Sequence, residues 1–214
     1  MRRAGLIALV VLSLGVAAYA VGVYGFLPLG SQVHPDMRAT FEAHRIGIYS
    51  HIFAAVFALV LGPFQFATRL RSRHPGLHRW AGRLYLGVGV LVGGLAGLVV
   101  AFDAFGGLAA RLGFAALALT WLYTGLRAYR AIRRKDVASH RRWMTRNFAL
   151  TFAAVTLRLW LGASFASGMP FDIAYPVIAW LSWLPNLLAA ELLIARMRKR
   201  SIAADSSIES ATVA

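Results

Sequence analysis

The groups that could do chemistry in this chain are histidines and arginines set at the edges of apolar runs. His78-Arg-Trp-Ala-Gly-Arg83 and Ser139-His140-Arg-Arg-Trp143-Met-Thr-Arg146 both place a His and an Arg before a Trp and a second Arg three residues after it. Two imidazoles facing each other from separate helices are what a bis-histidine haem needs, with arginines for its propionates. His78 and His140 are the pair with that symmetry, and Arg83, Arg146 and Glu191 complete the cluster around them. His44 and His51 at the opposite side lie on or beside a single helix, so the usual stack of two haems on four histidines is not encoded. One b-type haem, or a quinone contact, is therefore one expectation for this end. The plainer reading is that these histidines are solvated or touch lipid phosphate, with anionic headgroups on the arginines and Glu191 paired to Arg83 or Arg146. His74 and His78, four apart, would share a helix face as a metal site requires, but Pro75-Gly76 between them predicts a turn, and no metal site is expected.

A second set of groups falls inside apolar segments. A charge at mid-membrane costs roughly 2.5 kcal/mol or more, so an ionisable residue there is a functional candidate. At 1.5 Å rise per residue, Arg158 lies ~16 Å from the basic face, His51 ~9 Å from the other face and Asn186 ~18 Å from that same face. These three, with Tyr49, are the expected lining of an electropositive pocket in the outer half, open to an anionic group. The structural alternative has Arg158 reaching Asp103 or Asp172, or donating to backbone carbonyls and Asn186, as packing glue.

The elements that must position these groups are membrane helices. A chain that is 59% hydrophobic and 14% charged over 214 residues lies outside the range of soluble domains. About 20 apolar residues cross a bilayer, and six such runs predict helices at about 4–27, 46–66, 84–102, 112–126, 147–165 and 174–195. The expected fold is an all-α polytopic membrane bundle, one domain over residues 1–200. A four-helix core is formed by two similar hairpins, followed by a disordered tail from 201 to 214. The basic start and Ala18-Tyr19-Ala20 also resemble a signal peptide, but the apolar run continues past that triplet and is read as an anchor. Gly89, Gly93 and Gly97 predict close approach of the third helix to a neighbour.

Charge sets the orientation. Of the 23 Lys and Arg, nineteen fall on the side of the N-terminus, three (Arg38, Arg45, Arg111) on the other side, and Arg158 within a span. Under the positive-inside rule both termini are cytoplasmic. The net charge of +15 does not imply nucleic acid, because the basic residues sit in short clusters between apolar runs. With no cysteine, disulfides, thiolate metal sites and covalently attached haem are excluded. No Gly-x-Ser-x-Gly, His-Glu-x-x-His or phosphate loop supports hydrolysis, and Asp plus Glu number eight.

Leu61-Gly-Pro-Phe-Gln-Phe66, His78-Arg-Trp-Ala-Gly-Arg83, His140-Arg-Arg-Trp143, Arg146-Asn-Phe-Ala-Leu150 and Thr156-Leu-Arg158 together resemble a bacterial group of predicted membrane proteins. This is the domain-of-unknown-function 2306 family, and the resemblance spans roughly Ile46 to Leu193. It implies a multi-span architecture and no particular activity, so no functional residue is carried over from it. Three classes of function follow from the residues. One is binding or transport of a small anionic or amphipathic ligand at Arg158. Another is redox chemistry at His78 and His140, and the third is a scaffold whose buried polar groups only fix packing.

Overall fold

The computed structural model describes residues 3–213, with side chains described for residues 4–199. Among the described residues, six helices long and apolar enough to cross a membrane run Ala4–Phe26, Arg45–Gln65, Pro75–Ala101, Gly107–Arg133, Val137–Ala166 and Phe171–Lys199. They are numbered here as the first to sixth spans. The expected disordered tail, 201–214, lies outside the residues whose side chains are described.

The second and third spans pack as one hairpin and the fourth and fifth as another. The third span meets the fourth and the second meets the fifth, which closes a ring of four; the first span lies against the second, and the sixth against the fourth and fifth. The all-α bundle with a four-helix core expected from the hydropathy pattern is therefore the fold. Its centre is a cluster that includes Ala58, Tyr85, Val90, Trp121, Met144 and Phe148. Phe26, Ile46, Leu108 and Phe165 stay exposed on the outside, where lipid replaces water as their partner.

The helices are longer than the apolar runs that announce them. Arginine-rich stretches at the basic end are helical too: Thr68–Arg73, Pro75–Leu84 and the last turns of Gly107–Arg133. The turn expected at Pro75-Gly76 is absent, because Pro75 is the first residue of its helix. There its fixed φ suits the helix and its missing N–H costs no bond. Lys135 turns the chain at φ 61°, and Asp136 Oδ1 accepts from the Ser139 N–H at 2.8 Å to start the fifth span. Apolar extent underestimates helix length because long arginine stems stay in contact with the helix surface while their charge reaches water.

Two irregularities decide which faces meet. Tyr85–Val92 is wound as a π-helix inside the third span, which shifts the facing of everything beyond it. Within it, a Cβ on Gly89 would lie 2.8 Å from the Ala58 Cβ and 3.1 Å from its backbone, so the second and third spans touch backbone to backbone. The sixth span is interrupted between Phe171–Leu181 and Leu184–Val213. Asn186 Nδ2 bridges that break, donating to the Ser182 carbonyl and Thr156 Oγ1, both at 3.0 Å, while Thr156 Oγ1 itself donates to the Ser182 carbonyl.

Candidate functional site

A cavity of about 270 Å³ opens at the end away from the arginine clusters and reaches the middle of the bundle. Met37, Thr40 and Phe41 from the connection between the first two spans lie over it, with Asp103, Ala104 and Phe105 at the opposite rim. Ile48, Ile52, Leu117 and Leu157 are among its walls, and Trp121, Leu150 and Thr151 form its floor. The polar groups in the wall are His51, Arg158, Tyr24 and Tyr175.

His51 is fixed by the third span. Its Nδ1 lies 2.8 Å from the Gly93 carbonyl, which can only accept, so Nδ1 carries the proton and Nε2 holds a lone pair. The ring fits because Gly97 has no side chain: a Cβ there would stand 2.6 Å from Nδ1. The glycine spacing that predicts helix contact thus also makes the seat for an imidazole.

Arg158 enters the same cavity from the fifth span. Its Nη1 donates to the Ala154 carbonyl of its own helix at 2.7 Å, and its guanidinium lies 5.5 Å from the centre of the Tyr19 ring. Among the described residues no carboxylate pairs with it. Asp103, at the rim, is held by His44 Nε2 at 3.0 Å, and Asp172 makes no ion pair with Arg158. Four of the five guanidinium N–H groups have no hydrogen-bond partner among the described residues.

Of the four residues expected to line the pocket, the structure brings His51 and Arg158 together and leaves Asn186 and Tyr49 elsewhere. Asn186 is used up at the break in the sixth span and by the Ala149 carbonyl at 3.3 Å. Tyr49, two residues before His51 and so on another side of the helix, stacks on Phe53 with ring centres 5.9 Å apart. The depths of His51, Arg158 and Asn186 fall within one band about 9 Å deep, but rotation about the helix axes separates Asn186 from the other two.

Below the cavity floor lies a polar network outside the expected site residues. Tyr85, from the π-helical turn, donates to Asn147 Oδ1 at 2.7 Å and lies 2.8 Å from Thr151 Oγ1. Trp121 Nε1 donates to Thr151 Oγ1 at 2.9 Å, while Asn147 Nδ2 donates to the Trp121 carbonyl at 2.8 Å and Thr124 Oγ1 at 2.9 Å. Tyr85 and Asn147 are fully buried. The available signal was Asn147 inside the Arg146-Asn-Phe-Ala-Leu150 motif, which its place at the start of an apolar run disguised as a boundary residue.

At the basic end the two motif copies diverge. Arg146 forms a bidentate pair with Glu191, at 2.5 and 2.8 Å, and its guanidinium and that of Arg127 each lie 4.6 Å from the centre of the Trp143 ring. Arg83 and Trp80 are exposed, and Arg83 makes no ion pair among the described residues. His140 Nδ1 donates to the Ala128 carbonyl at 2.9 Å, and His78 Nδ1 is buried without a partner among the described residues. The cavity does not reach either histidine.

A family model described as a predicted membrane protein (DUF2306) matches residues 48–194. No curated protein and no solved structure matches the sequence.

Proposed function

The chain belongs to the predicted membrane protein family DUF2306, and from that premise we propose that it is a membrane protein that binds a small amphipathic anion in the cavity walled by His51 and Arg158. The observation that carries the reading is a guanidinium facing an apolar-walled cavity without a counter-charge among the described residues. A structural arginine in lipid is expected to be paired or fully hydrogen-bonded, since an uncompensated charge is costly. Here four of its five N–H groups have no hydrogen-bond partner among the described residues, and a planar anion is the partner that matches their geometry. Ile48, Ile52, Leu117 and Leu157 suit an apolar tail. A volume near the lower end of the ~300–1,000 Å³ of ligand pockets limits the guest to a small molecule.

The charge sorting supports an orientation in a bacterial cytoplasmic membrane with both termini inside, so that the cavity opens outward. The groove edged by Arg146, Arg198 and Lys199 then faces the anionic headgroups of the inner leaflet. Because the chain has no cysteine, a single Ser139→Cys variant tests this cleanly. An impermeant maleimide added to intact cells should not label it, and labelling would invert the topology.

Binding is tested with the purified protein in nanodiscs of neutral phosphatidylcholine, titrated with hexanoate. Wild type should bind, and Arg158→Met should lose binding with an unchanged unfolding midpoint. Equal binding by both proteins would remove the anion site.

A further inference from the structure

We infer that the anion is taken into this cavity together with one proton, shared with Nε2 of His51, which makes the ligand class a weak monocarboxylic acid. The inference rests on the binding reading above and goes further in naming the ligand's chemistry. The Gly93 carbonyl holds the proton on Nδ1, and the missing side chain at Gly97 keeps the ring in that seat. In the neutral ring Nε2 is therefore an acceptor, and it has no partner among the described residues. A carboxylate engaging the Arg158 fork brings only lone pairs to the same small space, and two lone pairs facing each other repel. One proton between them turns the repulsion into a charge-assisted hydrogen bond.

The wall carries one fixed positive charge, Arg158. The anion offsets that charge, and the accompanying proton is shared between two acceptors, the carboxylate and Nε2, that would otherwise face each other. The proton comes from solvent or with the acid itself; one bond to hydrogen is made at Nε2 or kept on the ligand, and no bond within the chain is broken. Imidazolium with carboxylate and imidazole with carboxylic acid hold the same number of protons, so the measurement does not depend on which is populated.

The titratable groups facing His51 are few. Arg158 comes from the fifth span, Tyr24 from the first, Tyr175 from the sixth, and Asp103 from beyond the third, while the fourth contributes Phe114, Leu117, Ala118 and Trp121. Asp103 is paired with His44 at the rim, and His34 stacks on Phe171 with ring centres 4.3 Å apart outside the cavity lining. His51 is the histidine in the wall.

The test measures proton uptake by calorimetry of hexanoate binding in two buffers of different ionisation heat, with the protein in phosphatidylcholine nanodiscs and empty nanodiscs subtracted. Wild type should take up close to one proton per hexanoate, and above neutral pH its apparent Kd should rise about tenfold per pH unit. His51→Asn keeps an amide donor for the Gly93 carbonyl and removes Nε2, so it should bind hexanoate with no uptake and a flat pH profile. Binding by wild type without proton uptake, or uptake that survives in His51→Asn, overturns the inference while leaving the anion site standing. Displacement of hexanoate by inorganic phosphate as readily as by butyrate overturns the ligand class. No hexanoate binding to wild type at all would bring down the anion site itself. Should His51→Asn fail to fold, the wild-type buffer series still decides, because zero uptake there is sufficient to reject the proposal.

Discussion

Two polar regions lie one above the other in the bundle, and their hydrogen-bond inventories are opposite. In the lower one, Tyr85, Trp121, Thr124, Asn147 and Thr151 exchange bonds of 2.7 to 2.9 Å among themselves and with the Trp121 carbonyl, and their side-chain donors and acceptors are occupied. In the upper one, His51 and Arg158 each make a single hydrogen bond among the described residues, to a backbone carbonyl, and turn the rest of their capacity to an open space. The lesson is that a polar residue in a membrane bundle is not by itself a functional sign. A closed network fixes how three spans pack, and an open one invites something from outside.

The contrast can be broken by substitution. Asn147→Leu should have the largest effect, about 2–4 kcal/mol of lost stability, because it removes the amide that ties Tyr85, Thr124 and the Trp121 carbonyl together in a dry core. Thermal unfolding in a mild detergent reads this, and a midpoint equal to wild type would show that the network is not structural. Gly97→Ala should cost about 1–2 kcal/mol, since the new methyl meets His51 and the ring must leave the Gly93 carbonyl. Hexanoate uptake should fall with it; binding unchanged from wild type would mean that the imidazole seat does not matter. Glu191→Gln should cost about 0.5–1 kcal/mol, the loss of a half-exposed pair with Arg146 at the basic end. Its hexanoate affinity should stay within twofold of wild type, and a larger change would couple the two ends of the bundle. Arg158→Met should move stability least, within about 0.5 kcal/mol, because the bond lost is one to its own helix and a desolvated charge leaves with it. A collapse of the fold in that variant would return Arg158 to the structural class.

The same split explains what could be read in advance. His51 and Arg158 stood out because charge inside an apolar run is conspicuous one residue at a time. Asn186 and Tyr49 were conspicuous for the same reason, yet one staples the break in the sixth span and the other stacks on Phe53. Tyr85, Thr124 and Thr151 were silent, since a hydroxyl among aromatics and leucines looks like filler until three spans converge on it. The two His–Trp–Arg copies looked equivalent in sequence, and only the arrival of the sixth span made them different, by giving Arg146 a carboxylate while Arg83 stayed exposed.

The sequence alone determined the number of spans, the hairpin pairing and the sorting of arginines to one end, because hydropathy and charge act on each segment independently of its neighbours. Only the tertiary structure decided which polar groups share a cavity and which close on one another. That depends on the rotation of each helix about its own axis, which is set where a π-helical turn shifts the third span and where Gly89 and Gly97 let the second come within contact of its backbone.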